Sequence, residues 1–451
     1  MQEKKGVSID MLHGPLLRRI VVFALPLMLS GILQQSFNSV DVAVVGHYCG
    51  SEALAAVGSN GMVISILLNL FVGISVGTNV VIANFIGQNN ADGIRRSIRT
   101  TALLALVSGV LLLALGVALA GPILRAMSTP DDVIGLATEY LEIYFLGMPF
   151  LMIYNFGSAI LRSMGDTRRP FYALMAGGVV NVALNLLFVI GMDMGVAGVG
   201  IATVIATAVN AAFIVRWLMR ESGPYRLDLS SLRPSMPEMR KILAIGLPAG
   251  LQGMVFSFAN IFIQSAVNSY GSAAVAGSAA ALIYEYYCYF IISAFAQACV
   301  AFVSQNYGAG QYVRVRRTML ICMGLSVICA GIANVAIYLN SHFFLSFFTD
   351  RPEVFRYGYI RLEYVLLFQF IASSYEVAGG ALRGLGYSMT PTVLTILGTC
   401  VLRLVWVTYV SRGADDFGFL LSVYPLSWVV TGVAVVVAYF VVARRVAPVR
   451  A

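Results

Sequence analysis

Ala159-Ile160-Leu161-Arg162-Ser163-Met164-Gly165 and Gly380-Ala381-Leu382-Arg383-Gly384-Leu385-Gly386 are one motif written twice, 221 residues apart. At the same offset Pro170 falls on Pro391, Gly87 on Gly308, Arg95-Arg96 on Arg316-Arg317, Glu142 on Glu363, Tyr154 on Tyr375 and Gly50-Ser51 on Gly271-Ser272. One further residue of shift aligns Leu25-Pro26 with Leu247-Pro248, Gly31 with Gly253 and Asn38 with Asn260. Agreement at separate places with a nearly constant offset marks an internal duplication. The expected units are residues 1–220 and 240–451. Residues 221–239, rich in Pro, Ser and charge, form the linker between them.

Both units are apolar almost throughout. Of the 451 residues 59% are hydrophobic and 11% charged, and the mean hydropathy is +0.84. A soluble domain carries about a quarter charged residues, so this composition belongs to lipid. Runs of about 20 apolar residues, enough to cross the hydrocarbon layer, recur along the chain. Backbone groups in lipid must be satisfied within the segment, so the runs are predicted helices. The alternation of a membrane β-barrel is absent. Twelve spans are predicted, at 18–46, 54–86, 97–120, 136–161, 170–190, 197–219, 240–268, 273–306, 316–339, 355–382, 390–411 and 418–442. The fold class is an all-α membrane protein of twelve transmembrane helices in two six-helix bundles. Six spans per unit start both bundles on the same side, which makes them parallel repeats with a central cleft suited to alternating access.

The net charge of +8 reads as topology. With the N-terminus inside, all but six of the 29 Lys and Arg are expected on the cytoplasmic side. Five fall outside (Arg125, Arg351, Arg356, Arg361, Arg412) and Arg403 falls within a span. This positive-inside pattern predicts an even number of spans with both termini in the cytoplasm, and the expected location is the inner membrane of a bacterium. The chain has no soluble basic domain to serve as a nucleic-acid footprint, and no cleavable signal peptide is expected. The six cysteines form neither a CxxC motif nor a Cys/His cluster, so no metal, disulfide or cofactor is expected.

Ionisable residues inside spans are functional candidates because they are costly there. Asp41 lies in the first span, Glu285 in the eighth and Glu376 in the tenth. Asn181 and Asn185 share one face of the fifth span, and Thr203 and Thr207 one face of the sixth. If those faces turn inward they join Asp41 in a polar pocket. A carboxyl held there among amides and hydroxyls can take up and release a proton, or exchange it for a metal cation. The same Asn and Thr could instead only tie helices together. Pro26 and Pro248 occupy equivalent places and bend their helices. Gln34, Asn38, Phe256, Tyr284, Tyr287 and Tyr375 are candidates to line a cleft, where aromatic faces stack on cationic compounds.

Taken together, these residues resemble the multidrug and toxic compound extrusion (MATE) family over essentially the whole chain. The likeness rests on Leu25-Pro26, on Val40-Asp41-Val42-Ala43-Val44-Val45-Gly46, and on Gly50-Ser51-Glu52-Ala53-Leu54-Ala55-Ala56. It extends to Ser304-Gln305-Asn306-Tyr307-Gly308-Ala309-Gly310 and to the repeated Leu-Arg motif. The resemblance implies an antiporter that expels organic cations in exchange for H⁺ or Na⁺, acting as a monomer in the bilayer. It implies that Asp41, with Asn181 and Thr203 beside it, couples the ion, and that Glu285 stands at a common glutamate position. Where many members carry an aspartate this chain has Asn185. Where the sodium-coupled branch often has acids it has Phe256 and Ala372, leaving Glu376 as an auxiliary acid.

The alternative transport reading is a flippase for lipid-linked saccharides, whose anionic substrate would favour several arginines within spans. A membrane enzyme needs a clustered His, Asp or Ser constellation. The histidines, His13, His47 and His342, lie near or beyond span ends, so no enzyme is expected.

Overall fold

The computed structural model describes residues 8–126, 129–231, 233–411 and 416–446, and among them the regular structure is helical. Among the described residues eleven helices are long and apolar enough to cross a membrane, and one bent pair makes a twelfth. In chain order the spans are Leu16–Tyr48, Gly50–Gly87, Ala91–Arg125, the bent pair Asp131–Leu146 and Met148–Ser163, Arg168–Gly191 and Gly195–Arg220. The second six are Met236–Asn268, Ser272–Gly308, Tyr312–Leu339, Pro352–Gly384, Met389–Val410 and Phe417–Val446. The protein is a multi-pass membrane protein.

The repeated Leu-Arg motif is a helix ending. After the fourth span the Gly165 amide donates to the Arg162 carbonyl at 3.0 Å and the Asp166 amide to the Leu161 carbonyl at 3.0 Å. After the tenth span Gly386 donates to Arg383 at 2.9 Å and Tyr387 to Leu382 at 2.9 Å. This paired pattern closes the last turn on a left-handed residue. Gly165 has φ +90° and Gly386 φ +92°, where a Cβ is disfavoured. The second span ends with the same hydrogen bonds on Asn89, and the eighth with them on Gly310. The duplication is therefore carried by turn chemistry as well as by apolar length.

The helix breaks repeat too. The fourth span bends by 46° at Gly147. At the equivalent place the tenth span passes from Pro352–Arg361 through a π-helical stretch, Leu362–Leu366, and a 3₁₀ turn, Gln369–Ala372, into Ser373–Gly384. Wide π turns recur at Leu186–Gly191 in the fifth span and Trp406–Val410 in the eleventh.

By packing, the chain forms two compact units. One comprises Leu29–Gly250 with the N-terminal piece ending at Asp10, and the other comprises Met11–Met28 with Leu251–Ala451. The first and seventh spans each change unit just after a proline, Pro26 and Pro248. Both prolines are buried and lie inside continuous helix.

Within the first unit the seventh span packs on the second through facing glycines. A Cβ on Gly73 would stand 2.2 Å from the Gly250 Cα, and one on Gly77 would stand 2.1 Å from the Ile242 carbonyl oxygen. Lipid supplies no hydrophobic drive between helices, so such close backbone approach is what holds them. The contact is backbone on backbone, and a side chain at Gly77 has nowhere to move. Gly77→Leu is expected to shift detergent-purified protein from a monodisperse peak to aggregate on size exclusion. Gly121→Leu, where a Cβ meets nothing within 4 Å, is expected to leave the profile unchanged.

Candidate functional site

The polar residues of the first unit come together. Asn185 donates its side-chain amide to Asp41 Oδ1 and, at 3.3 Å, to Asn181 Oδ1. Asn181 Nδ2 reaches Thr203 Oγ1 at 3.3 Å, and that hydroxyl donates to the Val199 carbonyl at 2.9 Å. Thr207 does not join this chain; its hydroxyl bonds back to Thr203 and Val204 carbonyls. Three helices thus contribute one continuous row of oxygens and amides. Asn181 and Asn185 are buried, while Asp41 and Thr203 are partly exposed.

Apolar residues wall the row. Val44, Val45, Tyr140, Val189, Val196 and Val199 form one buried cluster, with Val40 and Tyr144 packed against it. Tyr140 and Tyr144 stand within electrostatic range of Asp41. Neither was singled out in the sequence, where nothing local distinguishes two tyrosines four apart in an apolar span from their neighbours. Directly after Asn185 the fifth span widens into its π-helical stretch, a distortion common at functional sites. Asn185 Oδ1 is buried without a hydrogen-bond partner among the described residues. Carboxylate, amide and hydroxyl oxygens are the ligands hard cations prefer, and the carboxylate alone can carry a proton.

In the second unit the two acids have different fates. Glu285 is held by Arg361 in a bidentate pair, Nε to Oε1 at 2.6 Å and Nη2 to Oε2 at 3.0 Å. Gln369 also donates to the Glu285 carbonyl at 3.0 Å. Arg361, expected outside the membrane, is instead 3% exposed and sits in the tenth span, just before its π turn. The apolar count around it hid a partner in another helix. Glu376 accepts from the Tyr289 hydroxyl at 3.2 Å and lies near Arg383, whose Nη2 donates to Gln252 at 2.7 Å.

The remaining candidates scatter. Tyr284 is a packing residue: it is buried, donates to the Phe344 carbonyl at 2.7 Å and meets the Phe344 and Phe348 ring edges. Tyr287 rests on that same apolar cluster. Tyr375 is buried at 3% exposure, while Phe256 is half-buried and Gln34 and Asn38 are exposed. Arg412 lies outside the described residues.

The MatE family pattern matches residues 26–187 and again residues 248–409, one copy in each repeat. The chain belongs to the MatE family. Like that family it is a transporter. The probable multidrug resistance protein YoeA of Bacillus subtilis is 28% identical over 434 residues, 91% of this chain and 94% of its own. The probable multidrug resistance protein NorM of Thermotoga maritima is 27% identical, over 88% of this chain and 87% of its own. Among solved structures, a MOP superfamily transporter from Pyrococcus furiosus shares the fold. Its TM-score is 0.91, with 23% identity and 100% of both chains covered.

Within this MatE chain the Glu285–Arg361 pair can be tested apart from transport. Removing one member leaves a buried charge, a cost of roughly 3–5 kcal/mol, whereas replacing both with apolar groups is nearly neutral. Glu285→Leu is expected to lower the melting temperature in detergent well below wild type. Adding Arg361→Met to it is expected to restore most of the loss.

Proposed function

We propose that this transporter exports organic cations, drugs among them, across the cytoplasmic membrane of a bacterium in exchange for H⁺ or Na⁺. The observation that carries the reading is the Asp41–Asn185–Asn181–Thr203 row, a carboxylate wired through amides to a neighbouring helix. The names of the Bacillus and Thermotoga relatives support drugs as the cargo. Both termini lie in the cytoplasm and the protein acts as a monomer. Residues 1–220 and 240–451 work as two lobes joined by 221–239, rocking about a central cleft in alternating access.

In this mechanism a charged Asp41 accepts the Asn185 amide. When a proton or cation occupies the carboxylate, that hydrogen bond loses its charge assistance. Asn185 then favours Asn181, and the row tightens toward Thr203. The π turn beyond Asn185 lets the fifth span take up the change, and Pro26 lets the first span bend in response. Glu285 has no part in ion exchange because Arg361 neutralises it in place. Glu376, tied only by a phenol and a more distant guanidinium, is the auxiliary acid of the second lobe. A flippase substrate would need several free cations along its path, and Arg361 is not free.

The test is gradient-driven uptake of a fluorescent organic cation into inside-out vesicles, with a proton or a sodium gradient imposed separately. Wild type is expected to respond to one of them. Asp41→Asn is expected to lose at least about tenfold of the initial rate, as befits removal of the coupling charge, and Thr203→Ala to lose less. Equal uptake by wild type and Asp41→Asn would remove Asp41 from coupling.

A further inference from the structure

Arg403 is 1% exposed, in the eleventh span of an apolar bundle. Its Nε donates to Ser427 Oγ at 3.1 Å. Its guanidinium lies over three rings, 4.4 Å from the Tyr424 centroid, 5.4 Å from Phe256 and 5.9 Å from Trp428. Its Nη2 is buried and has no hydrogen-bond partner among the described residues.

The two interior acids of the second lobe are engaged elsewhere, Glu285 by both of its oxygens on Arg361 and Glu376 by Tyr289. Among the described residues none forms an ion pair with Arg403. Aromatic faces offset part of the cost of burying a cation. They do not supply the counter-charge that a desolvated guanidinium requires.

We propose that Arg403 and its aromatic surround are the seat for a carboxylate carried by an aromatic substrate. A guanidinium with an open N–H edge is the group that recognises a carboxylate with directional hydrogen bonds. Tyr424, Trp428 and Phe256 offer faces to the ring that bears it. The seat belongs to the second lobe alone, since the repeat places Val182 at the position of Arg403, just as it places Ile263 at that of Asp41.

The chain also has a means of opening the seat. Arg403 stands in a four-residue α-helical piece, Leu402–Val405, between two π-helical stretches, Ile396–Val401 and Trp406–Val410. A π turn holds one residue too many for an α-helix. Relaxing either turn rotates the piece between them and swings the guanidinium edge. Half-buried Phe256 is the least enclosed of the three rings and the one that must yield.

This inference rests on the export reading and names a substrate class within it: aromatic compounds that pair a cationic group with a carboxylate. Rhodamine 110 and its methyl ester, rhodamine 123, differ only in that carboxylate. Their binding to purified protein in detergent is read by fluorescence anisotropy. Wild type is expected to bind both dyes. Arg403→Gln is expected to weaken the acid about tenfold, the worth of a hydrogen bond to a charged group, and to leave the ester within about twofold. Arg403→Lys should recover part of the loss.

Ser427→Ala, which frees the guanidinium without removing it, should weaken the acid about threefold and spare the ester. It serves as the deciding variant if Arg403→Gln elutes as aggregate. An equal effect on both dyes, no effect on either, or a wild type that does not bind the acid overturns the proposal. A wild type that binds the acid but never moves rhodamine 123 in vesicles overturns the export reading and leaves the seat standing.

Discussion

Hydrocarbon accepts no hydrogen bonds, so a polar group this chain carries into the membrane demands a partner from the chain itself or from a bound molecule. Helices meet that demand for the backbone. Where a helix has to end, the left-handed residue at Gly165, Gly310 or Gly386 folds the last amides back onto the carbonyls behind them. Side chains face the same demand, and the answers differ by place. Asp41 is met by an amide, Glu285 by a guanidinium and Glu376 by a phenol. Those three choices set how mobile each charge is. A single amide hydrogen bond is readily released, whereas a bidentate guanidinium pair holds its carboxylate at two points.

The duplicated frame and the unduplicated chemistry follow from different pressures. Helix ends, the break of the fourth and tenth spans and the prolines of the first and seventh are geometric, and both copies need them. Charges inside the membrane are costly wherever they occur, and Asp41, Glu285, Glu376, Arg361 and Arg403 each stand in only one copy. The first copy holds a carboxylate beside asparagines. The second holds two arginines in its interior, one neutralised by Glu285 and one stacked on rings.

The sequence made the architecture readable because lipid allows so few solutions. Apolar runs placed the spans, and the offset between Leu161-Arg162 and Leu382-Arg383 exposed the repeat. The Asp41 row was readable as well, because Asn181, Asn185 and Thr203 fall on helical faces by simple spacing. The contacts between distant segments were not. Nothing near Arg361 in sequence announces Glu285, 76 residues away, and charge counting set that arginine outside the membrane. Tyr284 and Tyr287 belong to one aromatic run, yet only three-dimensional packing shows the first bonded to Phe344. The glycines at 73, 77, 246 and 250 went unremarked because they lie in helices far apart in the chain.

Residues 11–28 pack with the unit built from residues 251–451, although they are made first. The ribosome therefore delivers the opening turns of the first span more than 200 residues before most of their neighbours exist. Met11, Ile20, Phe23 and Ala24 end up fully enclosed, and Phe23 meets Phe302 edge to face at 5.5 Å. Until the eighth span is inserted, Phe23 lacks the ring it packs against. The first half of this chain thus carries, from birth, a piece of core that belongs to the second. Assembly of that core has to wait for the second half, whose eighth span brings Phe302 onto Phe23.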